Sequence, residues 1–245
     1  MFGADLSLQF RVFGIQVQVS LFFLVLAVII GQSGAKGSPL LLAAWVVVVF
    51  GSVLLHELGH ALSARAFGQQ PAITLYGLGG VTTWRPRGEM SPGRAFLVAL
   101  AGPLIGIVIG VAALLAYFAL PEKDTTAARV VFYLVWANLG WGILNLIPML
   151  PLDGGKIMVA VFDLLAPGRG QRAACYASIV TAVLVAPLAI AIGLFMLAFY
   201  CAFAIWMNIQ ALRIPPPQPP SAAVIDVTAQ VLPPDEPPAR GDRLP

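Results

Sequence analysis

Residues 40–66 read LLLAAWVVVVFGSVLLHELGHALSARA, and this stretch decides the fold. From Leu40 to Leu55 the text carries no charge, and the run continues to Arg65 before a basic residue appears. A helix of about 20 apolar residues crosses a hydrocarbon core of roughly 30 Å, so the segment is long enough to span a membrane. Set into it are His56, Glu57 and His60, three polar side chains where ionisable groups are costly and usually functional.

The rest of the chain supports the membrane reading. Of 245 residues, 59% are hydrophobic and only 10% charged, against about half apolar and a quarter charged in soluble proteins. Further apolar blocks run from Val17 to Ile30, Ala95 to Leu120, Val130 to Leu152 and Ala173 to Leu212. The first is expected to be a retained span rather than a cleaved leader, since more membrane segments follow it. The spans are expected at about 40–66, 93–119 and 127–147, with a short helix from Asp153 to about Ala166. Two more helices should fill 172–212, turning near Pro187. The expected fold is therefore an all-α polytopic membrane protein of about six transmembrane helices, with five as the alternative count.

Two stretches depart from helical text. Residues 71–84 hold two short β-prone runs around the glycines at 77–80, which predicts a hairpin lying at the membrane surface or dipping in against protein. Residues 1–16 predict an interfacial lead-in or a short strand. The expected domain is 1–212, with its core at 40–160, followed by a disordered, Pro-rich cytoplasmic tail at 213–245.

The net charge is +3, but the basic residues lie in connecting loops rather than on one face, which argues against a nucleic-acid partner. They report topology instead. With six spans, Arg11, Arg65, Arg85, Arg87, Arg94, Lys156, Arg169, Arg172, Arg213, Arg240 and Arg243 fall on one side, and Lys36, Lys123 and Arg129 on the other. The positive-inside bias then puts both termini and the site opening on the cytoplasmic side of the cell membrane. Cys175 and Cys201 read as buried free thiols.

The two histidines are the only ones in the chain, and they are four residues apart. On a helix such residues share a face, so both imidazoles can hold one metal with Glu57 beside it as general base. A catalytic zinc has three protein ligands and one open position, so a third ligand is needed. Most acidic residues lie in polar text, leaving Asp153 and Asp163. Asp153 ends the fourth span at a depth similar to the histidines, although it could instead cap the helix that follows. Asp163 fits the face of that short helix better.

The motifs now resemble the site-2 protease family of intramembrane zinc metalloproteases. The resemblance rests on His56-Glu57-Leu58-Gly59-His60 followed by Asn145, Pro148, Pro151 and Leu152-Asp153-Gly154-Gly155, and it covers about residues 40–160. It implies one zinc ion on His56, His60 and Asp153, a base at Glu57, and an amide at Asn145 that contacts substrate or oxyanion. It also implies a membrane-associated β-loop at Gly79-Gly80 and a small-residue motif at Ala101-Gly102-Pro103. Gly106 stands where many members have Asn, so a polar contact from there is in doubt. The implied activity is cleavage of single-span membrane proteins in or near their transmembrane segments, in contact with the lipid bilayer, by a zinc endopeptidase that is a homo-oligomer or works with a regulatory membrane partner. The alternatives are an inactive scaffold, a transporter with a mid-membrane polar site, and a membrane protease whose third ligand is a later Glu. After Asp153 the sole Glu is Glu236 in the tail.

Overall fold

The structure is a computed structural model that describes residues 7–77, 79–85 and 90–214. The expected tail lies outside these residues apart from its first two positions, and so do Arg87, Arg240 and Arg243.

The chain opens with strands β1 (Ser7–Val12) and β2 (Ile15–Ser20), followed by helices α1 (Leu21–Ala35) and α2 (Pro39–Ala66). Strands β3 (Gln70–Tyr76) and β4 (Gly79–Arg85) lead into α3 (Pro92–Ala119). Next come α4 (Thr126–Val135), a π-helical turn at Trp136–Gly140 and α5 (Trp141–Asn145), which together form one continuous rod. The last helices are α6 (Asp153–Leu165), α7 (Gly170–Ala191) and α8 (Phe195–Arg213). Five of these rods, α2, α3, α4–α5, α7 and α8, are long and apolar enough to cross a membrane.

The block expected as a first span divides differently. Ile15–Ser20 reads IQVQVS, a strict two-residue alternation that a strand satisfies. Val17 and Val19 are accordingly buried on one face. Ser20 then caps α1, its hydroxyl accepting from the Phe22 amide. The remaining helix has 15 residues, about 22 Å at 1.5 Å per residue and short of a full crossing.

All four strands join in one sheet of order β1-β2-β3-β4. The expected hairpin at 71–84 is the antiparallel pair β3–β4, and β2 runs parallel to β3 on its other side. Ile15, Val17, Val19, Ile73 and Leu75 pack against Val53, Leu58 and Ala61 of α2, so the sheet is seated on the helix turns that carry the histidines. The Arg65 guanidinium also donates to the Phe13 carbonyl at the β1–β2 turn.

On α3, Gly102, Gly106 and Gly110 recur every four residues and let neighbouring helices approach at backbone distance. A Cβ at Gly110 would collide with the Leu139 backbone, and one at Gly59 of α2 would lie 2.7 Å from the Ala101 carbonyl oxygen. Farther along, Pro187 lies inside α7 rather than at a turn. The break falls six residues later at Gly193, whose φ of +77° a residue with a side chain seldom adopts. A proline-freed carbonyl can be re-satisfied within a membrane bundle, which lets α7 run through. Cys175 and Cys201 are buried free thiols in α7 and α8.

Candidate metal and proteolytic site

His56, Glu57 and His60 stand on the last three turns of α2, all buried. Asp153 is the first residue of α6 and 4% exposed. Leu152 occupies the cap position and no side-chain capping bond forms, so the Asp153 carboxylate is not used as a helix cap. It points across to α2 instead. Its Oδ2 lies 2.9 Å from His56 Nε2 and 3.1 Å from His60 Nε2, and the two Nε2 atoms are 3.2 Å apart.

These three atoms form a triangle of electron-pair donors in a buried place. Such a triangle is repulsive unless protons or a cation lie among them. Ligands of a tetrahedral zinc with bonds of about 2.0 Å are separated by about 3.3 Å, close to the observed edges. The donor set therefore fits one zinc ion.

Neighbouring groups fix the ligands. His60 Nδ1 donates to the Val98 carbonyl at 2.7 Å, which leaves Nε2 as the ring atom free to face the centre. Lys156 Nζ donates to Asp153 Oδ1 at 2.8 Å, so the second carboxylate oxygen is held apart from the centre. A Cβ at Gly102 would fall on His60 Nε2, so only glycine there leaves room for the imidazole.

The loop that delivers Asp153 is anchored at Leu150, whose amide donates to Ser178 Oγ at 2.8 Å and whose carbonyl accepts from Asn208 Nδ2 at 3.1 Å. Gly154 and Gly155 fit against the backbone of Leu146–Leu150, where any Cβ would collide. Asp163, the other acidic candidate, accepts from the Gly170 amide at 2.7 Å and ties α6 to α7.

Glu57 points to the sheet. Gly80 of β4 approaches so closely that a Cβ there would lie 2.5 Å from Glu57 Cγ. Thr82 Oγ1 is 2.6 Å from Glu57 Oε2. A cleft of about 330 Å³ opens beside His60, between Val81, Thr82 and Trp84 of β4 and Lys156 and Ala160 of α6. Asn145 is buried at the end of α5, eight positions before Asp153. Thr82, Ser178 and Asn208 lie in text without a motif, whereas Lys156 directly follows the glycine pair that marks Asp153.

A His-Glu-x-x-His donor set inside a bundle of membrane-length helices is an arrangement that membrane metalloproteases use, and the protein is an integral multi-pass membrane protein. Comparison with known proteins carries this further. Residues 122–187 match the model of peptidase family M50. A zinc metalloprotease of Methanocaldococcus jannaschii is 33% identical over 159 residues, 63% of this chain and 44% of that protein. Stage IV sporulation protein FB of Bacillus subtilis is 33% identical over 116 residues, 47% of this chain and 39% of that protein. The chain thus spans less than half the length of either relative. Among solved structures, the site-2 protease from Methanocaldococcus jannaschii shares the fold, with a TM-score of 0.58 at 22% identity over 85% of this chain and 96% of that one. The chain therefore resembles the site-2 protease family of membrane zinc metalloproteases in fold and in part of its sequence, and its His56, His60 and Asp153 cluster fits a single zinc ion.

Proposed function

We propose that this protein is an intramembrane zinc endopeptidase that hydrolyses peptide bonds in or near the transmembrane segments of single-span membrane proteins, as a step of regulated intramembrane proteolysis. The observation that carries the reading is the convergence of His56, His60 and Asp153 beside a buried Glu57 on a helix of membrane-spanning length.

His56 Nε2, His60 Nε2 and Asp153 Oδ2 hold the metal. When bound, zinc supplies a Lewis acid that polarises a carbonyl and makes water more acidic. Glu57 takes the proton of the attacking water and delivers it to the amine nitrogen released when the peptide bond breaks. The Asn145 amide donates to the negative charge that develops on the carbonyl oxygen. Water reaches the buried site through the cleft beside His60.

A transmembrane helix bonds its carbonyls internally, so the substrate unwinds before it is cut. The sheet offers a place for the unwound stretch: β3 is covered by β2, but the outer edge of β4 has no strand partner among the described residues and borders the cleft. A substrate segment added there would run past Glu57 toward the metal ligands. The excess of Lys and Arg assigns the cleft side to the cytoplasm; α8 ends on that side at Arg213, and β2, paired with β3 just after the Arg65 end of α2, brings the first strands to the same side although α1 falls short of a full crossing.

The decisive test is the purified full chain in lipid vesicles with a panel of single-span substrates. Cleavage that stops with a chelator and returns with zinc is expected. A full complement of zinc with no cleavage of any substrate would leave an inactive scaffold as the better reading.

A further inference from the structure

Glu57 is 5% exposed, and its carboxylate meets a hydroxyl from an unrelated part of the sequence. Thr82 Oγ1 lies 2.6 Å from Glu57 Oε2 and 3.1 Å from the Glu57 main-chain oxygen. The shorter distance falls within the range of about 2.5–2.7 Å typical of a hydroxyl donating to a carboxylate. A threonine hydroxyl has one proton to give and lone pairs to receive one. A backbone carbonyl has two lone pairs, so the Glu57 oxygen can serve its helix and still accept from Thr82.

We infer that Thr82 is a positioning residue that fixes the direction in which the Glu57 carboxylate faces. This rests on Glu57 acting as the general base. The Thr82 hydroxyl donates to Oε2 and fixes the carboxylate plane, while its 3.1 Å contact with the Glu57 main-chain oxygen seats Thr82 against the backbone of the same residue. Without that hydroxyl the buried carboxylate loses a hydrogen bond that directs it.

Thr82 belongs to β4, whose edge borders the cleft, and Gly80 two residues earlier lies against the Glu57 side chain. The sheet therefore aligns the base with the same strand that the substrate would meet.

The test compares Thr82→Val, Thr82→Ser, Thr82→Ala and Glu57→Gln in the full chain in lipid vesicles. The readouts are zinc per chain, kcat and KM on a single-span model substrate, and the Kd of a hydroxamate probe, which gives up its acidic proton to a neighbouring base on binding. Thr82→Val should keep zinc and KM while kcat falls about 10–100-fold, the usual cost of losing a supporting hydrogen bond at a metal site. The hydroxamate should bind more weakly, and Thr82→Ser should restore both. Thr82→Ala repeats the loss without adding bulk, and a drop in kcat there with zinc retained supports the inference even if the valine variant misfolds. Unchanged kcat in both variants with Glu57→Gln inactive would overturn the role of Thr82 alone. A serine variant as impaired as valine would overturn it too, since packing would then explain the loss. Normal turnover by Glu57→Gln would instead remove the general-base reading beneath it.

Discussion

Lys156 and Asp153 stand one helical turn apart on α6, and Lys156 Nζ lies 2.8 Å from Asp153 Oδ1, the oxygen that neither imidazole contacts. A carboxylate with one oxygen held by an ammonium offers the other as a single, directed ligand. Lys156→Met should therefore weaken zinc retention about 10–100-fold, while Lys156→Arg preserves most of it. Competition against a graded chelator, with metal read by mass spectrometry, checks the order of the three proteins.

Base and ligands should separate cleanly. Glu57→Gln leaves all three metal-facing groups in place, so it should retain about one zinc per chain and lose at least about 100-fold in turnover. Asp153→Ala and His56→Ala each remove a donor and should lose metal and activity together. An Asp153→Ala protein that kept both would send the search for the third ligand elsewhere.

Two glycines make the same distinction sterically. A methyl group at Gly80 meets the Glu57 side chain, which can swing away, so Gly80→Ala should keep fold and zinc but displace the base and depress kcat. A methyl group at Gly102 meets His60 Nε2. Gly102→Ala should therefore lower zinc occupancy, and excess zinc should recover part of its activity. Equal zinc content in the two variants would contradict this geometry.

Asn145→Ala should keep zinc and lower kcat by about 10²–10³, the usual loss for an oxyanion donor. A change confined to KM would move Asn145 from transition-state stabilisation to substrate binding.

The charge distribution predicts topology. Reporter fusions after Arg213 and ahead of β1 should both report the cytoplasm. A fusion after Arg213 that reports the opposite face would reverse the assignment for α8.

Much of this molecule is legible in sequence because the decisive signals are local. The imidazoles of His56 and His60 share a helix face by spacing alone, and Asp153 stands between the prolines that close one helix and the glycine pair in the first turn of the next. The lengths of α2 and α3 follow from long apolar text. Ile15–Ser20 misled because its apolar residues add to a hydrophobic block while their alternation belongs to a strand. Pro187 suggested a turn, but a membrane-length helix absorbed it and Gly193 made the break. The contact of Thr82 with Glu57 joins residues 25 positions apart and exists only once β4 is laid against α2. Likewise Ser178 and Asn208 hold Leu150 from two later helices, and nothing in their surrounding text marks them.

The parallel pairing of β2 with β3 has a practical consequence for anyone who handles the protein. Val17, Val19, Ile73 and Leu75 form one apolar layer over the turns of α2 that bear the histidines, so the strands of Ser7–Ser20 buttress the metal-ligand cluster. Trimming them to improve expression, or splicing an affinity handle into Ser7–Ser20, would strip the near edge of β3 and loosen β4 behind it. A preparation shortened in that way could be soluble, fully metallated and inert. Handles belong after Arg213, where a fusion leaves the sheet untouched.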